Sequence, residues 1–536
     1  LGDRTATILL LQGAVLLILL MTCVNVANLL LSRVLGRGHE IAMRSALGAS
    51  RRALARQLLI ESICLAVPGG LAGVALGWLG LRFFAQPALT GSGSIFDMTL
   101  DWRVGLAALV MVGVTAALVS VLPIRHLAKT DLQSLLQAGG RSAGGGIGAR
   151  RVRSALVATE LTLATLLLAA SGLLLHSFIN LEAVNPGFRQ NDVLIAGLLV
   201  PDNDHTGDAA LGNYYRALLQ HVRALPGVQA AGIGLWLPMG HNLSIQTFDI
   251  RGRERPPGHT SPTAAYDLVG GGYFSAMGMP ILRGRGFDSR DTANSLPVVI
   301  IDSHLAKQYF DGADPLGQQL KFGDTWYSVV GVVPSVKLQH LANHNHATVY
   351  LNAFQVPARD VRLAIHTSIP PELLTQSLRK AAAAVDPSVA VYGVETMRER
   401  LADSLHDQQA TMMLLLAFGG IALALAVVGV YGVLSYAVGQ RVTECGVRLA
   451  LGALPGDLLW LIIRDGLKLL TVGLVTGLVL AVIAGYVLSS RLFGVVPFDP
   501  LTLIGSALVL SGITLIACYL PARRAAKLDP AVAIVE

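Results

Sequence analysis

The segment HLANHNH places His340, His344 and His346 within seven residues, and imidazoles at i and i+4 can share one helix face and one metal ion. Asn-rich surroundings of this kind read as a solvated loop, and no metal site is expected. The Gly-rich run GGRSAGGGIGAR, from Gly139, lacks the lysine and hydroxyl that a phosphate-cradling Gly-x4-Gly-Lys-Ser/Thr loop requires, and it follows no strand. It reads as a flexible linker. The chain carries no HExxH, no Gly-x-Ser-x-Gly and no paired-cysteine motif. No catalytic residues and no cofactor are expected.

A second set of polar residues is notable because it occurs twice. HEIAMRSALGAS begins at His39 and TECGVRLALGAL at Thr443, so Glu40, Arg44, Leu47 and Gly48 overlay Glu444, Arg448, Leu451 and Gly452, always 404 positions apart. Glu at i with Arg at i+4 is a favourable helical pair. Ala-Leu-Gly-Ala then supplies a compact apolar knob, with the glycine as a helix stop. The same side chains kept on the same face in two copies suggest a docking surface engaged twice by a symmetric partner. Within an apolar run, Glu160 is a functional candidate because burying its charge is costly. Arg153 lies about 10 Å along the same helix, and the expectation is that Arg151 or Arg153 neutralises Glu160 near the interface. Asn25 and Asn28 read as hydrogen-bonding glue between helices.

The elements that position these residues follow from composition. Apolar residues make up 53% of the chain and charged residues only 14%, against about 25% in soluble domains. The apolar residues gather in seven runs, near 8–33, 57–85, 103–124, 154–178, 411–438, 458–489 and 500–521, each long enough to cross a bilayer. The loops Arg33–Arg56 and Arg125–Arg153 each carry six basic residues, whereas AQPALTGSGSIFDMTLDW carries none. Basic loops stay cytoplasmic, so the net charge of +7 orients helices and gives no support for nucleic-acid binding. This sidedness places the repeated segments inside and the long stretch after the fourth span outside. The four cysteines all lie in or beside membrane segments, so the exterior domain folds without disulfides. The chain starts at Leu, which reads as a fragment or a missing true start.

The repeat extends into the following spans. Gly69, Gly73 and Gly77 overlay Gly473, Gly477 and Ala481, a small residue at every fourth position, and the reading is a helix-packing seam in both copies. Further on, LPIRHLAKTDL from Leu122 overlays LPARRAAKLDP from Leu520. The expected organisation is a first unit of three spans over 1–140, a linker over 141–153, a span over 154–179, an exterior domain over 180–405, and a second three-span unit over 406–536. In the exterior domain, NYYRALLQHVRALPGVQAAGIG and PELLTQSLRKAAAAVDPSVAVYGV each read as helix, turn, strand, and LPVVIID and WYSVVGVV read as strands. The fold class is thus a polytopic α-helical membrane protein of about seven transmembrane helices with a mixed α/β domain outside.

The repeated Glu-x-x-x-Arg-x-Ala-Leu-Gly-Ala, the basic exit LPARRAAKLDP, and the exterior segments GGYFSAMGMPILRGRGF and YFDGADPLGQQL resemble the MacB/FtsX family of ABC-transporter permeases, in its duplicated branch. The resemblance implies a bacterial inner-membrane protein with a periplasmic core domain. It also implies a separate ATPase docked at the segments around Glu40–Ala49 and Glu444–Ala453, and action by mechanotransmission. A periplasmic adaptor or outer-membrane partner would accompany export, and the two units could pair as an internal pseudodimer or through a homodimer. The first unit departs from the family pattern: its leading span and periplasmic domain are expected to be either truncated from this chain or lost. Two functions stay open: a permease subunit for export or efflux, and a signalling protein that activates a periplasmic hydrolase or senses an antimicrobial.

Overall fold

The computed structural model describes residues 2–37, 40, 43–44, 47, 49–84, 101–129, 147–201, 207–240, 243–253, 261–310, 312–339, 341, 346–440, 447–448, 451, 454–489 and 492–526. Four long helices open the chain: α1 (Gly2–Gly36), α2 (Arg51–Phe84), α3 (Trp102–Lys129) and α4 (Ile147–Glu182). Two compact units result, one formed by Leu1–Glu182 with Asp407–Glu536 and the other by Ala183–His406.

The second unit is a mixed α/β domain. Along the chain come β1 (Val193–Leu199), α5 (Asp208–Arg223), β2 (Val228–Gly234), β3 (Ile245–Thr247), β4 (Asp249–Ile250) and β5 (Thr263–Gly271). Next are α6 (Tyr273–Ala276), β6 (Arg283–Gly284), β7 (Val298–Asp302), α7 (Ser303–Phe310), β8 (Gln319–Phe322), β9 (Thr325–Val333) and β10 (Thr348–Asn352). The domain ends with β11 (Asp360–Thr367), α8 (Thr375–Val385) and β12 (Ala390–Thr396). Its strands order as β12-β1-β11-β2-β5-β10-β7-β9-β8-β4, with β3 on β5 and β6 on β9. Pairing is antiparallel except for β10 on β5 and β7 on β9. The two helix–turn–strand units read from the sequence are α5–β2 and α8–β12. They supply Tyr215, Leu218, Leu219 and Leu378 to a core shared with Leu194, Ile233 and Leu363 on the sheet. Every residue of β7 and β10 is buried, which is why residues 298–301 and 349–351 are apolar without alternation, while the buried polar ends Asp302, Thr348 and Asn352 make hydrogen bonds. Gly232 is required where β2 meets the start of α6, since a Cβ there would lie 2.1 Å from the Tyr273 nitrogen.

The chain returns to the first unit through α9 (Met397–Gly439), followed by α10 (Pro455–Val487) and α11 (Pro500–Ala526). Seven helices among the described residues are long and apolar enough to cross a membrane: Thr5–Val34, Arg52–Gly80, Trp102–Val121, Arg151–Glu182, Gln408–Gly439, Pro455–Val487 and Pro500–Arg524. α4 already begins at Ile147, so Arg151 and Arg153 belong to the helix and not to a linker.

The glycine seam forms in one copy only. In α10, a Cβ at Gly473 would sit 2.5 Å from the Leu161 Cβ, and one at Gly477 would sit 2.5 Å from the Thr165 Cβ, so α10 lies against the α4 backbone. Thr162 and Thr476 hydroxyls bond at 2.7 Å across the same seam, and Ala481 is buried there with Ala169. Close approach of this kind is what small residues permit between membrane helices. The expectation for α2 is corrected. Among the described residues, nothing lies within 4 Å of a Cβ added at Gly69, Gly73 or Gly77. The physical reason is that α4 packs on the second copy, and no described helix takes the corresponding place beside the first. α2 packs closely on α3, through Gly70 against Val112 and through the Ser62–Ser120 hydroxyl bond at 2.8 Å.

Candidate functional site

The α1–α2 connection carries the first repeated segment. Glu40 and Arg44 form the expected i,i+4 ion pair, at 2.6 Å. The sequence reading missed Arg37, whose guanidinium donates two bonds to Glu40, at 2.8 and 3.1 Å, and one to Glu61 at 3.3 Å. The available signal was its i,i+3 spacing to Glu40. Arg44 donates to Gln57 (3.0 Å), and Gln57 to Glu61 (3.2 Å), which ties the segment to the first turns of α2. Hydrogen bonding from Arg37, with the charges of Arg37 and Arg44, holds the Glu40 carboxyl below the usual carboxylate range. Ser50 starts α2 by accepting the Ala53 N–H at 3.2 Å. In the second copy Pro455 opens α10, and Asp457 accepts the Leu454 N–H at 3.1 Å. Each knob is thus followed at once by a capped membrane helix.

Leu47 is 85% exposed and Leu451 82%, more than any other bulky apolar side chain among the described residues. Both lie outside the apolar spans. Met43 and Val447, also equivalent in the repeat, are 48% and 42% exposed beside them. Arg448 is exposed as well. Gly48, Glu444 and Gly452 lie outside the described residues, as do His340 and His344. Among the described residues no group of three His, Cys, Asp or Glu side chains converges on a point.

Inside the membrane unit, the expected neutralisation of Glu160 by Arg151 or Arg153 is corrected. Glu160 is 1% exposed and accepts a hydrogen bond from the Asn25 amide of α1, which also donates to the Leu425 carbonyl of α9 at 3.0 Å. Two helical turns separate Arg153 from Glu160, and the Arg153 guanidinium lies instead 4.0 Å over the Tyr436 ring. Gly429 of α9 leaves room for this arrangement, because a Cβ would lie 1.9 Å from Glu160 Oε2 and 2.6 Å from Asn25 Oδ1. Three helices therefore meet at one buried polar point. At the other end of α4, His176 bonds Asp499 at 2.9 Å, and Asp499 caps α11 through the Thr502 N–H at 3.1 Å. Asp before Pro at a helix start was the readable signal for that cap.

With this geometry in hand, comparison with known proteins separates the chain into its parts. The description FtsX-like permease C-terminal matches twice, at residues 13–132 and 416–530, and MacB-like periplasmic core domain matches residues 188–397. The chain belongs to the MacB/FtsX family of permeases. The two FtsX matches coincide with the two copies of the repeat, and the MacB match with the α/β unit. Among curated relatives, the macrolide export ATP-binding/permease protein MacB of Acinetobacter baylyi is 27% identical over 282 residues, covering 51% of this chain and 42% of that protein. MacB of Escherichia coli is 27% identical over 287 residues, covering 52% and 44%. The chain thus spans less than half the length of these relatives. Among solved structures, the periplasmic region of MacB from Actinobacillus actinomycetemcomitans is 15% identical, with a TM-score of 0.28, covering 41% of this chain and 94% of that one. The extracellular domain of the ABC-type transporter YknZ from Gram-positive bacteria is also 15% identical, with a TM-score of 0.25, covering 37% and 100%. Family membership supports reading this chain as an ABC-transporter permease, a membrane component with a periplasmic-type domain.

Proposed function

We propose that this permease sits in a bacterial inner membrane and receives a separate ATPase on the two repeated segments, using ATP-driven movement there to change its periplasmic domain for export. The observation that carries the reading is the pair of exposed leucines, Leu47 and Leu451, at equivalent positions of a duplicated polar segment. Two like knobs on one face fit a partner with two like sockets, as a dimeric ATPase has. Each knob is joined within a few residues to a capped membrane helix, so a push on it is delivered to α2 or α10 without a slack linker. We assign α9, unbroken from Met397 to Gly439, the task of carrying motion toward the periplasmic domain. No atom of the transported load is assigned to any residue.

The test is recovery of partners from native membranes in mild detergent, with identification by mass spectrometry. A P-loop ATPase in near-stoichiometric amount is expected. Recovery of the intact, folded permease without any ATPase sinks the proposal. An outer-membrane channel among the partners supports export, whereas a dedicated periplasmic hydrolase in its place moves the assignment to signalling.

A further inference from the structure

Below the meeting point of Asn25, Glu160 and Gly429, α1 and α9 part to leave an open cavity of about 290 Å³. Its walls are Asn28, Leu29, Ser32 and Arg33 of α1 and Gly432 and Tyr436 of α9. Asn28 and Gly432 are equivalent positions of the repeat, as are Ser32 and Tyr436, so the cavity lies where the two copies face one another. It occupies the last turns of α1, on the side of the basic loops.

Two features point to an occupant. Asn28 is only 5% exposed, and its buried Oδ1 has no hydrogen-bond partner among the described residues. Arg153 is 9% exposed, covers the ring of Tyr436, and has a buried Nε without a partner among the described residues. Neither Arg153 nor the exposed Arg33 is ion-paired among the described residues. A guanidinium buried with no carboxylate is costly unless something anionic accompanies it. The orphaned amide oxygen on the cavity wall asks for a hydroxyl or another donor. Basic pockets between membrane helices, at headgroup depth on the positively charged side, are suited to anionic lipids.

We propose that this cavity binds the headgroup of an anionic phospholipid with a hydroxylated headgroup, of the phosphatidylglycerol class. Arg33 and Arg153 face the phosphate, Asn28 Oδ1 accepts from a headgroup hydroxyl, and the acyl chains run along the outer face of α1 past Leu29, itself 53% exposed. The lipid then bridges the first helices of both copies and sets how closely they approach. The inference does not depend on an ATPase partner.

The experiment is native mass spectrometry of the full chain reconstituted in nanodiscs of phosphatidylglycerol with phosphatidylcholine and then released. Retention of a phosphatidylglycerol adduct in preference to phosphatidylcholine is expected. Arg33→Gln should lower that retention about fivefold, the share of one juxtamembrane basic residue. Asn28→Leu should lower phosphatidylglycerol retention more than that of phosphatidic acid, which has no headgroup hydroxyl. Arg103→Gln, an exposed arginine at the opposite end of α3, serves as control and should change nothing. Because Arg153→Gln could disturb folding, the decision rests on Arg33→Gln at the exposed rim. Equal retention of the two lipids, unchanged retention in Arg33→Gln, or equal loss in Arg103→Gln overturns the proposal. Displacement of the adduct by millimolar inorganic phosphate overturns the lipid as source and leaves a free-phosphate site.

Discussion

Asn25 and Gly429 occupy the same position of the two repeat copies, 404 residues apart, and they meet: a Cβ on Gly429 would lie 2.6 Å from Asn25 Oδ1. Equivalent residues touch one another only beside a two-fold axis. The axis relating α1 to α9 therefore passes near this pair, and the cavity walls Asn28 with Gly432 and Ser32 with Tyr436 continue along it. The two copies are not identical there, because Asn25 reaches α4 through Glu160 whereas Gly429 supplies only space. The junction is a pseudo-symmetric contact with one polar clamp.

That clamp gives a graded set of outcomes. Glu160→Gln keeps a carbonyl oxygen facing the Asn25 amide and should stay within about 1 kcal/mol of the parent. Asn25→Leu removes the donor from a buried acceptor and should cost roughly 1–3 kcal/mol. Gly429→Leu drives a side chain into both partners and should separate α9 from α4. Thermal unfolding in detergent ranks the three, and disulfide trapping between cysteines placed on α1 and α9 reports the separation. A Gly429→Leu protein as stable as the parent would show that the three helices do not meet at this point.

The glycine seam yields a sharper contrast, because two nearly identical stretches have opposite surroundings. Gly477→Leu should destabilise the membrane unit by several kcal/mol, since the Thr165 Cβ and the Thr162 carbonyl leave no room for a side chain. Gly73→Leu in the first copy, with no described residue within 4 Å, should be nearly neutral. Melting both variants in the same detergent decides it. Equal losses would mean that α2 is covered in the membrane by a partner absent from the described chain.

This contrast also marks the limit of what the sequence reveals. The seven spans were legible because an apolar length of about 20 residues has one common explanation. The repeat was legible because a fixed offset can be counted. Whether Gly73 packs depends on which helix arrives beside it, and nothing local distinguishes it from Gly477. Likewise Glu160 invited a partner on its own helix, yet its bond comes from Asn25, 135 positions away. Side-chain pairing between distant helices leaves no mark in spacing. Arg37 is not part of the duplicated motif, and its role depends on Glu61, which the turn brings near.

The exposed knobs should be sensitive to charge and insensitive to modest trimming. Leu47→Glu or Leu451→Glu places a carboxylate where an apolar socket is proposed, and each should lower ATPase recovery by tenfold or more, at about 1.4 kcal/mol per tenfold. Because both leucines are more than four-fifths exposed, neither change should alter the unfolding of the permease itself. Quantitative pull-down of paired single and double variants is the measurement. Undiminished ATPase recovery in the double variant would remove these residues from the docking surface.

The α/β domain should weaken as pH rises toward neutrality. Asp267 lies on β5, register-paired with Tyr350 of β10, and burial pushes its carboxyl up to about 7, opposed in part by the backbone N–H groups of Trp236, Leu268 and Leu235. In the unfolded chain the same group titrates near about 3.9. The folded state therefore holds its proton more tightly. The stabilisation from that proton is complete below about pH 4 and is lost as pH rises to about 7, up to about 4 kcal/mol at 1.36 kcal/mol per unit. Burial raises Asp302 as well, so it acts in the same direction. Asp267→Asn keeps an acceptor for the Trp236 N–H, which lies 2.9 Å from Oδ1, and it should flatten most of the dependence. Hydrogen exchange of β5 peptides in the full chain, corrected for intrinsic rates, should show protection falling between pH 5 and pH 7.5 in the parent and much less in Asp267→Asn. Protection that rises with pH in the parent would mean that Asp267 is ionised in the folded domain and held by a cation, contrary to its buried surroundings.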